Sequence, residues 1–219
     1  MTTLHRIPLF PLGSPLLPQA AMPLHIFETR YRQLIHDLGS LPADQQRFGV
    51  IAIRQGREVG TDHLNALYDI GCIADVRAIQ PYADGRFDIV TMGTERFILR
   101  DIFDEKSYFT ADVEFLPDEL GANPDAMSIR VRQHFERYRE IVQMEDGQDV
   151  LSPDPTSLSW EVAAGMLLDL DERQRILASE DTTSRLILER QLLHRELGLL
   201  AHIPSLPAFD PRQLPISSN

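Results

Sequence analysis

Along the first half of the chain, apolar residues come in short runs or alternate with polar ones, the period of β-strands. FGVIAI (48–53) is a compact, partly β-branched run and predicts a buried strand. YDIGCIADVRAI (68–79) mixes Ile73, Val76 and Ile79 with polar residues and predicts a half-buried one. RFDIVTMGTERFILRDIF (86–103) is long, with a bend expected at Gly93, because an internal glycine often marks a bulge. Asp84-Gly85 between these two runs predicts a hairpin over 70–100 closed by a type I′ turn, which needs φ > 0. SYFTADVEFLP (107–117) places Phe109, Ala111, Val113 and Phe115 on one face and stops at Pro117.

After a polar connector (117–126), the period changes to that of helices. Met127, Val131, Phe135, Tyr138 and Val142 share one stripe, and Leu158, Val162, Met166 and Leu170 another. Asp154-Pro155 supplies an N-cap and an N1 proline. DERQRILA predicts a short helix, and Leu186, Leu193, Leu197 and Leu200 line a longer one capped by Asp181 or Thr182. The tail from 201 to 219 carries Pro204, Pro207, Pro211 and Pro215, which exclude a helix; it is expected to be disordered or to lie extended against another surface. Strands first and helices afterwards predict an α+β fold.

The opening stretch, IPLFPLGSPLLPQAAMPLHIFETRY (7–31), is apolar but broken by five prolines. These prolines exclude the unbroken apolar core of a secretory signal and the roughly 20-residue run of a membrane span. A cytoplasmic protein is therefore expected. Because Pro8, Pro11 and Pro18 cannot donate to a ladder, their segments are expected to be edge strands or connectors. Leu9, Leu16, Leu24 and Ile26 are expected to fill the core. Glu28 should begin a helix with Tyr31, Leu34, Ile35 and Leu38 on its buried face.

Composition narrows the function. The 219 residues carry a formal net charge of -12, which opposes the phosphate-neutralising contacts of nucleic-acid binding. Lys106 is the only lysine and no Gly-Lys pair occurs, so the phosphate-binding P-loop is excluded. Lys106 is the one residue a Ser–Lys dyad could use, and DEKSYF offers no apolar pocket to lower its pKa. Cys72 is the only cysteine; it reads as a small buried residue, since GCIADV offers no cation to activate it.

At this point the opening stretch, extended as IPLFPLGSPLLPQAAMPLHIFETRYRQLI, resembles the start of the Lon protease N-terminal domain. The resemblance continues in order through FGVIAI, through LYDIGCIADVRAIQPYADGRFDIVTMGTERFIL, and into the helical RLILERQLLHREL. It covers residues 4–200 approximately. It implies a PUA-like β pseudo-barrel over 1–117 of about six strands, a C-terminal helical bundle over 125–200, and the extended tail. The chain looks like a stand-alone domain of this type, without the ATPase and Ser–Lys protease domains. The resemblance further implies a non-catalytic module that recognises unfolded or apolar polypeptide, or a protein partner, and needs no cofactor.

Beside this stand residues that could carry chemistry. His25 and Glu28 could form half a metal site, but zinc needs at least three protein ligands, and His63, His134 and His194 sit in other segments. Glu28, Asp69, Asp75 and Glu95 could supply an acid–base pair, yet spacing selects no two of them. Ser14 and Ser107 lack a GxSxG elbow, and Trp160 reads as core. The expected binding surface is apolar with a polar rim: Pro23, His25, Phe27, Tyr31 and Met92. Two other readings stay open. One is RNA or small-ligand binding, favoured if Arg30, Arg32, Arg54 and Arg57 cluster; the other is an enzyme using a cleft between barrel and helices. Neither the client nor the oligomeric state follows from the sequence.

Overall fold

The structure is a computed structural model and describes residues 3–54, 66–142 and 150–202. Six strands form one mixed sheet: β1 (His5–Leu12), β2 (Ala21–Ile26), β3 (Arg47–Ala52), β4 (Ile70–Pro81), β5 (Phe87–Phe103) and β6 (Thr110–Leu116). The order is β2-β5-β4-β3-β1-β6, and an additional β5–β6 pairing closes five of the strands into a barrel. Among the described residues five α-helices are laid out: α1 (Thr29–Gly39) between β2 and β3, then α2 (Pro124–Val142), α3 (Pro155–Gly165), α4 (Leu170–Leu177) and α5 (Thr182–His202) after the barrel. The class is α+β, as the change of period predicts. His63, Arg57 and nearly all of the 201–219 tail lie outside the described residues.

Closure depends on the length of β5. Its first half pairs with β2 and its second half with β6, while β4 runs along both. Gly93 sits where the two halves meet. The ladder slips there, with Ala74 opposite Gly93 but Cys72 opposite Arg96, so β5 carries the extra residue of a bulge. A Cβ on Gly93 would come within 2.1 Å of the Leu17 carbonyl oxygen. The expected bend therefore has a second cause, the close passage of the β1–β2 connection.

Two expectations need correction. The β4–β5 hairpin forms, and Gly85 has φ +81°, but Asp84 is not in the positive-φ region, so the turn is not type I′. Tyr82 N–H donates to the Arg86 carbonyl at 2.9 Å and Gly85 N–H to the Tyr82 carbonyl at 3.0 Å. This is the three-residue loop in which a left-handed glycine follows a tight turn.

The second correction concerns β1, which is no edge strand. It lies between β3 (parallel) and β6 (antiparallel) despite Pro8 and Pro11. The pairing is staggered: residues 5–8 face β6 and residues 9–12 face β3. Leu9 N–H donates to Phe109 on the β6 side at 2.8 Å. By alternation, the Pro8 nitrogen points toward β3 before that pairing begins, and the Pro11 nitrogen toward β6 after that pairing has ended. Neither ladder loses a donor.

The main core runs from the barrel into the helices. Leu16, Ile26, Leu34, Ile35 and Phe48 belong to the same buried cluster as Trp160, Leu186 and Leu193. Leu9 is buried in a smaller cluster with Ile7, Ile51, Phe97 and Val113. Helix starts are capped by local chemistry. Asp154 accepts from Ser157 N–H at 2.8 Å and Asp181 from Ser184 N–H at 2.7 Å, while Asp169 and Glu172 form a reciprocal capping box.

A polar cluster built on two buried arginines joins barrel to helices. Asp118, just past β6, accepts from Arg96 of β5 at 2.8 Å, from Arg185 of α5 at 3.2 Å, and from the Trp160 indole of α3 at 3.0 Å. Arg96 also donates to the carbonyls of Leu177, Ser179 and Pro117. The Arg185 guanidinium stacks 3.7 Å from the centre of the Trp160 ring. Burial lowers the pKa of both arginines, and Asp118 opposes that shift. Both arginine side chains are almost completely buried, so Asp118 is what makes two desolvated charges tolerable.

Candidate functional site

Where the barrel closes, one part of the sheet is left over. β2, the first half of β5 and the second half of β4 form a three-stranded ribbon. Its inner face carries Met22, Leu24 and Ile26 with Ile79, Phe87 and Ile89, all buried in or packed against the main core. That core also contains the α1 face of Tyr31, Leu34, Ile35 and Leu38. The outer face has no such cover. Ala21 stands opposite Met92, Pro23 opposite Val90, and His25 opposite Asp88. Paired residues share a face, and Ala21, Pro23, His25 and Val90 are exposed, with Met92 half-buried.

β2 also has an open edge: among the described residues it pairs with β5 alone. Gly93 N–H donates to the Ala20 carbonyl at 2.9 Å and Thr91 Oγ1 to the Met22 carbonyl at 2.9 Å. The even-numbered residues thus turn their backbone toward β5. By alternation, Ala21 and His25 direct N–H and C=O outward, and Pro23 directs only its C=O. Pro23 is thereby placed where a proline costs no ladder bond.

A polar group closes one end of this surface. His25 Nδ1 lies 2.6 Å from Asp88 Oδ1, and the Tyr82 hydroxyl donates to the other oxygen of Asp88. The bonds from Tyr82 and then His25 hold the Asp88 carboxyl below its ordinary value, and the Asp88 bond pushes the Tyr82 hydroxyl up. Beyond the strand, Phe27 is 62 % exposed, and Tyr82 and Val90 are each 43 % exposed. The result is an apolar strip of Pro23, Val90 and Met92, with Phe27 and Tyr82 beside the His25–Asp88 pair.

Tyr31 does not belong to it. It is 5 % exposed and stacks on Phe10, with ring centres 3.8 Å apart. Of its two expected places, the buried face of α1 and the binding surface, the structure gives it the first. Val90 and Tyr82 were not anticipated. The signal for Val90 was its register opposite Pro23, which no run of apolar residues reveals.

The candidate carboxylates for chemistry are each held by an arginine. Glu28, Asp69, Asp75 and Glu95 each lie within 4 Å of a different arginine: Arg30, Arg54, Arg77 and Arg47. Glu28 is the N-cap residue of α1 but makes no side-chain capping bond. Lys106 donates to the Tyr108 hydroxyl at 3.1 Å, which raises the lysine pKa, the wrong direction for a general base. Burial raises the Cys72 thiol far above its ordinary value. His134 and His194 line one hollow between α2 and α5, though no group of three metal-binding side chains exists among the described residues. A hollow at the barrel–helix junction is lined by Thr94, Glu95, Arg96 and Asp118, of which the last two belong to the polar cluster. The arginine cluster that would favour RNA does not gather freely: Arg30 is paired with Glu28 and Arg54 with Asp69. Among the described residues no helix is long and apolar enough to cross a membrane.

Barrel, open-edged ribbon and appended helices together define a domain of α+β architecture. The chain belongs to the substrate-binding domain family of the ATP-dependent protease La (LON), whose family model matches residues 6–195. Among curated relatives, it is 24% identical over 206 residues to Lon protease 2 of Syntrophobacter fumaroxidans and 26% identical over 198 residues to Lon protease 1 of Herpetosiphon aurantiacus. These matches take in 88% and 86% of the chain but 25% and 24% of the relatives, so the chain spans about a quarter of their length. Two solved structures share the fold. The Lon N-terminal domain protein from Xanthomonas campestris has a TM-score of 0.61 at 23% identity. The N-terminal domain of the Mycobacterium avium complex Lon protease has a TM-score of 0.66 at 16% identity. Each comparison covers 87% of this chain and 98% of the other.

Proposed function

We propose that this substrate-binding domain is a non-catalytic module that takes unfolded, apolar-rich polypeptide as an added strand along β2. The observation that carries the reading is the unpaired outer edge of β2, flanked by exposed Pro23, His25 and Phe27. An extended segment lying there would hydrogen-bond to the backbone of Ala21, Pro23 and His25. Alternate side chains would rest on the strip of Pro23, Val90 and Met92, and Phe27 would hold the far end. Main-chain bonds supply affinity without sequence selectivity, as a domain meeting many unfolded clients requires. Pro23 removes one donor from the edge, which restrains self-pairing of these strands. The surface is small, and affinity in the micromolar range or weaker is expected, about -8 kcal/mol or less favourable.

The test is fluorescence anisotropy with a labelled, unstructured apolar peptide. Phe27→Asp and Val90→Asp should each weaken binding about tenfold, or about 1.4 kcal/mol, with the circular dichroism melt preserved. Unchanged binding in both variants would remove the strand face as the site. Turnover of ATP or casein by the purified chain, abolished by Lys106→Ala, would overturn the non-catalytic reading.

A further inference from the structure

Residues 130, 134, 137 and 141 follow the i, i+4, i+7, i+11 spacing and share one face of α2. They are Arg130, His134, Arg137 and Ile141. On α5, Arg190, His194 and Leu197 repeat the same spacing. The two helices pack side by side and leave two adjoining hollows between these stripes. One, of about 300 Å³, is lined by His134, Arg190, Gln191 and His194. The other, of about 380 Å³, shares His134 and His194 and adds Gln133, Arg137, Leu197 and Gly198.

The charge state of this groove sets it apart from the rest of the surface. Elsewhere exposed arginines are commonly held by carboxylates, as Arg6 is by Asp112 and Arg47 by Glu95. Arg130, Arg137 and Arg190 have no carboxylate partner among the described residues. The carboxylates of the two helices lie off the stripes. Glu136 and Glu140 fall on another side of α2 by helical spacing, Glu189 is buried, and Glu196 is held by Arg195. His134 Nδ1 lies 2.7 Å from the Arg130 carbonyl and donates there, so the ring is anchored to its own helix and the guanidiniums carry the charge of the groove.

We infer that the α2–α5 groove is a second binding site, for an acidic polypeptide segment carrying an apolar residue at one end. Charge complementarity identifies the occupant. Arg137 and Arg190, which line the hollows, and Arg130 on the same α2 stripe, none with a carboxylate partner among the described residues, select carboxylates on a chain of net charge -12. The spread of the site argues for a chain over a compact anion. From Arg130 to Ile141 the α2 stripe rises about 16 Å, the span of about five extended residues. Ile141, which is 41 % exposed, and Leu197 give the apolar end of the segment a place to rest. The overall negative charge does not forbid this, because interactions beyond about 8 Å are screened at physiological ionic strength. The site shares no residue with the β2 strip, and its occupancy does not depend on that reading.

The test uses the full chain and a fluorescein-labelled heptapeptide of five alternating glutamates and aspartates followed by two leucines. It should bind, weaken as salt is raised, and bind at least about tenfold less tightly to Arg137→Glu/Arg190→Glu, as loss of close charge pairs requires. The apolar peptide that tests β2 should bind this variant unchanged. Arg137→Gln should give a smaller loss in the same direction, so the test stands even if the double reversal unfolds. Three results would each overturn the inference. One is equal binding of a peptide with glutamine and asparagine in place of the acids. Another is complete displacement by equimolar inorganic triphosphate, which would mark a compact-anion site. The last is a change of sedimentation mass in the double variant, which would mark a contact between copies of the chain.

Discussion

The barrel–helix junction and the β2–β5–β4 ribbon invert the usual rule of burial. At the junction, two guanidiniums and an indole are sealed inside the protein and held by the partly exposed carboxylate of Asp118. On the ribbon, Phe27, Val90 and Tyr82 are left in water beside an unpaired strand edge. Buried charge is costly, so it persists where every partner is fixed and geometry is demanded. Exposed apolar surface with free backbone groups is also costly, because it invites association. The first region is built to hold two parts of one chain in register. On the proposed reading, the second accepts another chain. Their variants should therefore fail differently, one through stability and the other through binding.

The largest expected effect lies at the junction. Asp118→Ala strands two buried guanidiniums and the Trp160 indole, and should cost about 3–5 kcal/mol, read as a lower urea midpoint. A loss below about 1 kcal/mol would mean that the cluster behaves as a surface pair. The next effect separates neighbours on the ribbon side. Tyr31→Ala removes a ring stacked on Phe10 in the core and should cost about 3 kcal/mol. Phe27→Ala should stay within about 0.5 kcal/mol of the parent and lose peptide affinity instead. If the two variants behave alike, the distinction between core and binding surface fails.

Smaller effects sharpen the picture. Gly85→Val forces a β-branched residue into a left-handed conformation at φ +81°, and should cost about 1–2 kcal/mol. The thermal melt reads this; an unchanged melt would contradict the turn.

Glu189 of α5 is fully buried, and both its carboxylate oxygens lack a hydrogen-bond partner. Burial raises its pKa well above the ordinary 4.5, with Arg185 opposing. The folded state thus holds a proton that the unfolded chain releases. This contribution to stability is fully present below the unfolded value and is lost as pH rises toward the folded one. Glu189→Gln removes the titration. Relative to the parent, its urea midpoint should rise between pH 5 and pH 8. A difference that does not vary with pH would contradict the assignment.

What the sequence made legible follows from how local the causes are. Strand and helix periods, the Asp154 and Asp181 caps and the positive φ at Gly85 are set by near neighbours, and all could be read ahead. The position of β1 could not, because tolerance of Pro8 and Pro11 depends on how β3 and β6 divide the strand between them. The junction was equally hidden: Arg96, Asp118, Trp160 and Arg185 meet across long stretches of chain, and no spacing joins them. Of the expected surface residues, Pro23, His25, Phe27 and Met92 lie on or beside the ribbon's outer side. Tyr31 does not, because it belongs to the buried α1 face with Leu34, Ile35 and Leu38 that helical spacing already picked out.

Hydrogen exchange at the β2 amides, with and without a bound apolar peptide, tests strand addition most directly. The outward N–H groups of Ala21 and His25 should exchange quickly in the free chain and slow markedly when peptide is added, whereas those of Phe48 and Val50 in β3 should not change. Protection confined to other segments, or none at Ala21 and His25 under saturating peptide, would contradict the account.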